Sequence, residues 1–373
     1  MPSWMIPILK FAFTITPPAL RPFAKRVFVK SMLRFEALMS RRRIERAARV
    51  EFLDFEIAHL EHAEFLGADA TGVFVQAKAS CVSPGTERAV LCGLPGSRRG
   101  FPYVPGYSTA GVVVRPGRRS KFKPGDRVAG KMPHASHGVM TPASLFRIPD
   151  GVSDQEAAFL ELGIICLQGI RKAAIRPGER VAVVGQGLIG QLAARLARAA
   201  GADAIVAVAA SRRRIGTAMG TGGADAFVAL SDGADAIARI EADVVIEAVG
   251  SAPAITLGMR AARRGGRVIL LGSSRDLGRG LDWYALAQER GITLVGANIR
   301  AMPQHEQSAT LWTYDQEGRL FLELLARRAV DVTDLITWRP KPGECNKVYE
   351  VLAGGGGEHV GIVFDWSDLP AAA

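Results

Sequence analysis

Residues Val181-Ala-Val-Val-Gly-Gln-Gly-Leu-Ile-Gly190 restrict this chain more than any other stretch. Four small apolar residues predict a buried parallel strand. Gly185-x-Gly187-x-x-Gly190 follows at once, and residues 191–200 are rich in helix formers. Each glycine answers a different steric demand. Gly185 permits the strand-to-helix turn, Gly187 lets the backbone approach a diphosphate, and Gly190 lets the helix pack close to the sheet. The helix start adds free N–H groups and the positive end of its dipole. Glycines alone mark ordinary turns. Between a strand and a helix in this order, Gly185, Gly187, Leu188, Ile189 and Gly190 predict a dinucleotide site.

The elements around the motif extend the argument. From residue 173 strands and helices alternate, with strands expected at 181–184, 205–208, 227–230, 244–248, 268–271 and 292–295. That pattern predicts an α/β, doubly wound, six-stranded parallel Rossmann sheet. Before it, residues 49–55 and 72–79 alternate with period two, residues 80–88 read as a turn, and residues 103–114 and 123–129 are strands punctuated by Gly and Pro. These suggest an irregular, barrel-like β-rich domain. After residue 298 come a helix (312–328), a strand (335–339), a helix (344–352) and a strand (361–364), with 354–357 a short flexible turn. This tail is too short for a domain of its own and is expected to complete the first one. The expected division is a basic extension over 1–45, a catalytic domain over 46–172, a nucleotide domain over 173–298 and a return to the catalytic domain over 299–373.

A length of 373 residues suits two domains. The four cysteines are scattered, with no Cys-x-x-Cys pair, which argues against a disulfide framework or zinc knuckle and suits a reducing, cytoplasmic setting. No apolar run reaches the ~18 residues of a spanning helix, and no secretory signal pattern is present. Of the net charge of +11, residues 1–50 carry +9, with 11 Lys or Arg against Glu36 and Glu45. Within residues 19–46, Phe23, Val27, Phe28, Met32, Phe35, Leu38 and Met39 recur at helical spacing among basic residues, which reads as a basic amphipathic helix. Two readings stand: a peripheral membrane or partner-enzyme contact, or packing on the protein's own body or a dimer mate. No nucleic-acid motif accompanies the charge, so nucleic acid is not an expected partner.

Gly85-Thr-Glu87, Val104-Pro-Gly-Tyr107 leading to Gly111, Phe122-Lys-Pro-Gly-Asp-Arg-Val128, Pro177-Gly-Glu-Arg-Val181, the glycine motif and Arg264-Gly-Gly-Arg-Val-Ile-Leu-Leu-Gly272 stand in an order that resembles the medium-chain dehydrogenase/reductase superfamily, over about residues 47–366. Ser83–Arg88 with Pro102–Tyr107 resembles most a subgroup that includes bacteriochlorophyllide-a dehydrogenase. The resemblance implies a GroES-like catalytic domain, a Rossmann domain, an active site in the cleft between them, and a homodimer through the edge strand near 292–295. It also places Ala248, Val249 and Gly250, with Gly272 and Ser273, near the ribose and nicotinamide. The departures are specific. Pro84 stands where zinc-dependent members carry a cysteine, and Gly106-Tyr107-Ser108 stands where they carry Gly-His-Glu. Glu161 falls where some polyol dehydrogenases place an acidic ligand, and one carboxylate cannot hold zinc alone. The expectation is therefore no zinc.

Strand 205–208 ends without the acidic residue that holds a ribose 2′-hydroxyl in NAD-preferring domains, and it runs into Ser211, Arg212, Arg213 and Arg214. Guanidiniums suit a 2′-phosphate, so the expected cofactor is NADP, with NAD the lesser choice. Without zinc, an organic donor must handle charge developing on a small-molecule substrate. Thr86 matches the family's proton-relay hydroxyl, and Tyr107 takes the zinc-histidine place. Glu161 is a candidate acid–base group if buried, and His134 a candidate cleft residue. The expected function is zinc-independent, NADP(H)-dependent hydride transfer between an alcohol and a carbonyl. The alternatives are reduction of an activated C=C or C=N bond, and a non-enzymatic nucleotide sensor or scaffold.

Overall fold

The computed structural model describes residues 21–40, 42–97, 100–273, 281–303, 306 and 311–368, with side chains of the first helix described from Lys30 onward. Expectations for residues 1–20 lie outside the described residues. Helix α1 (Arg21–Ser40) leads into a hairpin of β1 (Ile44–Asp54) and β2 (Ile57–Leu66). The helix stops short of the expected residue 46 because Ile44–Arg46 already pair with Leu66–Glu64. Arg42 turns the chain there, its Nε donating to the Gly67 carbonyl at 2.8 Å. Strand β2 was not anticipated. Its sequence, IAHLEHAEFL, puts polar residues on both faces, so its period-two signal is weak.

Strand β3 (Val73–Cys81) is followed by helix α2 (Pro84–Leu91), where a turn was expected. Pro84 opens the helix, where a missing N–H costs nothing and its fixed φ fits. Next come β4 (Thr109–Pro116), β5 (Arg127–Gly130), β6 (His137–Met140), β7 (Leu145–Arg147), α3 (Asp154–Ala157) and α4 (Leu160–Ala173).

The alternating region follows: β8 (Arg180–Val184), α5 (Leu188–Ala199), β9 (Ala204–Ala209), α6 (Ile215–Ala218), β10 (Ala226–Ala229), α7 (Ala234–Ala238), β11 (Ala242–Glu247), α8 (Ala252–Ala261), β12 (Ala262–Leu270) and β13 (Thr293–Gly296). Its six strands form one parallel sheet in the order β10-β9-β8-β11-β12-β13, with β13 at an edge. This is the doubly wound order with its reversal between β8 and β11, where a crevice opens at the strand ends. Strand β12 begins at Ala262, six residues before its expected start.

The chain then runs through α9 (Tyr314–Ala326), β14 (Ile336–Trp338), α10 (Cys345–Ala353) and β15 (Gly361–Asp365). β15 lies antiparallel on β3, so the tail enters the first sheet, ordered β14-β15-β3-β4-β5-β7, with β6 also on β3. Between the two sheets lies α4, with eleven buried residues. Phe159, Leu160 and Leu162 join β8, α5 and α9 in one continuous core. That shared core sets the two sheets against each other and frames the cleft. Among the described residues no helix is long and apolar enough to cross a membrane.

Candidate functional site

The glycine turn has the geometry that its spacing predicts. Gly185 follows β8 with φ +97°, a region costly for any residue with a Cβ. Gly187 is the N-cap of α5. A Cβ on Gly190 would run into the Gly185 carbonyl oxygen, so only glycine lets the helix sit this close to the strand. Gly187, Leu188 and Ile189 line a cavity of about 420 Å³ together with Ala248, Val249, Gly250, Leu271, Gly272 and Ser273. The Val249–Gly250 turn is held from below. Glu247, fully buried, accepts both their N–H groups through Oε1 at 2.8 Å, and burial raises its carboxyl's pKa.

A second cavity of about 570 Å³ continues from Gly185 and Gly187 past Val208, Ala209, Ala210, Ser211, Arg213 and Arg214. Among the described residues no acidic side chain lines it. The arginine run divides. Arg212 is a correction to the expected set, because its guanidinium turns to Asp232, with both carboxylate oxygens at 2.8 Å. Arg214, in both cavities, reaches the carbonyls of Gln186 (3.5 Å) and Gly357 (3.1 Å) and leaves its buried Nε without a hydrogen bond. It therefore ties the turn after α10 to the glycine cradle. Gly355 lines both cavities, so the stretch read as a flexible turn is part of the wall. A backbone cradle, an acid-free pocket and two cavity-lining arginines fit a phosphorylated dinucleotide.

The other wall of the first cavity comes from the β-rich part. Tyr107, Ser83, Pro84, Gly85 and Thr86 line it together. The Tyr107 hydroxyl donates to Ser83 Oγ at 2.7 Å, and burial pushes it well above the ordinary phenol range. It is therefore a neutral proton carrier at any physiological pH. Thr86, in the first turn of α2, is exposed to the cavity beside it.

Two expected residues sit elsewhere. His134 is 0% exposed and lines neither described cavity. Its Nδ1 lies 2.7 Å from Ser80 Oγ, and its Nε2 lies 3.2 Å from Glu87 Oε2. Trp366 Nε1 donates to the same Ser80 oxygen and Tyr349 to the same Glu87 oxygen. The loop that was to carry His134 into the cleft instead packs its ring under Gly106, and the imidazole satisfies a buried network. Glu161 is buried at the start of α4, lines neither described cavity, and accepts the Tyr314 hydroxyl. Lys131 Nζ lies 3.8 Å from it and over the Tyr314 ring at 4.1 Å. Burial pushes the Glu161 carboxyl up to about 7.

The places that would hold a catalytic zinc do not fit one. Pro84 offers no donor, and the Tyr107 hydroxyl is engaged with Ser83. Ser108 Oγ donates to the Ala158 carbonyl and accepts from Glu161 N. Cys81 is buried and its thiol pKa is raised by desolvation. Among the described residues, Glu51, His59 and Glu61 are grouped closely enough to share an ion, and none of them lines this cavity.

Gln186, Glu247 and Gly355 were not among the residues expected at this site, and Arg214 was expected only as one of a triplet. Arg214 and the glycine run at 354–357 carried a signal, in the arginine triplet and the glycines themselves. Glu247 at the end of a predicted strand carried none.

Residues 189–313 match the family described as zinc-binding dehydrogenase. "Probable D-xylulose reductase A" of Neosartorya fischeri is 32% identical over 140 residues, covering 35% of this chain and 39% of that protein. Sorbitol dehydrogenase of Homo sapiens is 26% identical over 234 residues, covering 61% of each. These matches thus span less than two thirds of the curated relatives' lengths. The crystal structure of a "putative zinc-binding dehydrogenase" from Sinorhizobium meliloti 1021, bound to NADP, superposes with a TM-score of 0.73 at 22% identity, covering 86% of this chain and 99% of that one. That likeness speaks for the fold.

Proposed function

We infer that this chain is a medium-chain dehydrogenase/reductase, by its fold and by the dehydrogenase match over residues 189–313, and that it is an NADP(H)-dependent oxidoreductase acting between an alcohol and a carbonyl without zinc. The observation that carries the reading is the Tyr107 hydroxyl, neutral, bonded to Ser83, and on the same cavity as the glycine cradle. When bound, the nicotinamide supplies or accepts a hydride.

The chain's own residues do the rest. Gly187, Leu188 and Ile189 hold the diphosphate with backbone N–H groups at the start of α5. Arg213 and Arg214 pair with the 2′-phosphate. Val249, Gly250, Gly272 and Ser273 shape the nicotinamide end. Tyr107 hydrogen-bonds the substrate oxygen and gives it a proton on reduction. Ser83 orients that hydroxyl, and Thr86, on the open side, returns a proton from solvent. Burial sets the raised Tyr107 pKa, and charge at Glu87 and, less, at Glu161 behind the wall adds to it. Apolar walls at Ile165, Leu271, Leu352 and Ile362 suit a hydrophobic substrate.

The sites that do not fit zinc also support a second reading, reduction of an activated C=C or C=N bond, in which Tyr107 protonates an enolate or its nitrogen counterpart. A likeness to the bacteriochlorophyllide-dehydrogenase subgroup, a cytoplasmic setting and a homodimer through β13 belong to the same proposal. The test pairs a substrate panel with Tyr107→Phe. Apolar ketones and alcohols are expected to turn over, and the variant to lose ~100-fold or more in kcat at unchanged NADPH affinity. Turnover of enones alone would favour the second reading. NADPH binding with no substrate-dependent oxidation would leave a sensor or scaffold.

A further inference from the structure

The described surface away from the cavity carries a second feature. On α1, Phe35, Leu38 and Met39 are 52%, 75% and 70% exposed. Spaced i, i+3, i+4, they share one side of the helix. The helix packs on β1 and β2 with Ala37 buried at 8% exposure, on the opposite side. Arg42, bonded to Gly67, anchors the helix base, and the Gly67 N–H donates to the Arg43 carbonyl at 2.8 Å. The apolar side therefore faces outward by construction. Arg34, also exposed and four residues before Leu38, borders it, and the exposed Lys30 lies one turn earlier on the same helix.

We propose that α1 docks on an anionic lipid surface, with Phe35, Leu38 and Met39 entering the boundary between headgroups and acyl chains and the flanking basic residues meeting lipid phosphates. The charge argues for this occupant. Residues 1–50 carry 11 basic residues against two acidic ones, while the remaining 323 residues carry a net +2. A second copy docked through the same face would bring like charges together, whereas an anionic surface attracts every one of them. The sequence ahead of the helix adds apolar residues, with Trp4, Ile6, Ile8, Leu9, Phe11 and Phe13 and a single charge, Lys10, in its first 20 residues. Exposed apolar side chains beside a basic cluster supply the two signals that interfacial binding needs. This inference stands independently of the proposed chemistry.

The test is co-sedimentation of the full chain with phosphatidylcholine vesicles and with vesicles in which about one third of the lipid is phosphatidylglycerol. Binding to the mixed vesicles is expected, weaker by ~10-fold or more on phosphatidylcholine alone and reversed by salt. The triple variant Phe35→Ser, Leu38→Ser, Met39→Ser should lose ~10-fold or more. Lys30→Gln with Arg34→Gln should lower binding and flatten its salt dependence. Circular dichroism and thermal melting of both variants check that the body is folded. Equal binding to both lipids, no binding, or a folded triple variant that binds like the parent overturns the proposal. A dimer in light scattering that dissolves in the triple variant, without vesicle binding, assigns the face to a second copy instead.

Discussion

The two walls of the central cavity are built from different material. The nucleotide wall is largely backbone: the turn from β8 into α5, and the turns after β11 and β12. The wall facing it depends on side chains: Tyr107, Ser83 and Thr86, brought together from the approach to β4 and the start of α2. A backbone wall fails when a Cβ blocks a close approach and otherwise tolerates change. A side-chain wall depends on single hydroxyls and can lose its chemistry without losing its shape. Tyr107→Phe is the side-chain half of that contrast, and the following substitutions probe the rest.

The largest effect on the backbone wall is expected from Gly190→Ala. Its methyl meets the Gly185 carbonyl, so α5 must move off the strand. NADPH affinity by calorimetry should fall on the order of 100-fold, a loss of about 2.7 kcal/mol. Unchanged affinity would mean that the cradle does not hold the diphosphate. Next is the pair Arg213→Gln with Arg214→Gln, where the backbone wall borrows side chains. The preference for NADPH over NADH should drop roughly tenfold or more, with NADH affinity little changed. A proportional loss for both cofactors would assign these arginines to the diphosphate or to holding the Gly357 turn.

Behind the side-chain wall, at Glu161, the expected effect is on stability and leaves cofactor affinity unchanged. Its folded pKa of about 7 lies above its ordinary value of 4.5. The stability that the neutral acid contributes is full below the ordinary value and is lost as pH rises through about 7. Glu161→Gln does not titrate. The wild type should therefore lose stability relative to the variant between about pH 4.5 and pH 8, by about 3 kcal/mol at most. Thermal melts across that range measure the difference. Parallel curves would show that Lys131 and Tyr314 hold the carboxylate charged without cost.

The contrast between the walls also marks what could be read in advance. The glycine spacing, the six parallel strands and the return of the tail were all legible, because each depends on local turn geometry or on periodicity along the chain. The misreadings share a cause. Residues 80–88 looked like a turn because Pro84 and Gly85 break strands, yet the same Pro84 opens a helix. Arg212 and Arg214 are indistinguishable by type. One lies within reach of Asp232 and the other within reach of Gly357, 143 residues on. His134 was placed at the cleft by the family resemblance, and the packing of Trp366 and Tyr349 buried it. Glu161 was an acid–base candidate only on condition of burial, and its partner Tyr314, 153 residues away, could not be inferred from its neighbours.

By itself the sequence determined where the chain must bend, where a helix can lie close to a strand, and that the second strand ends without an acid. These are properties of single residues and their immediate neighbours: the absent Cβ of Gly185 and Gly190, and the side chains of Ser211 and the arginines. Only the tertiary structure decided which two of the arginines line the cavity, which hydroxyl Tyr107 meets, and that His134 serves the core. Those outcomes depend on contacts between segments far apart in the chain, where burial and hydrogen-bond satisfaction select one partner among several of the same chemical type.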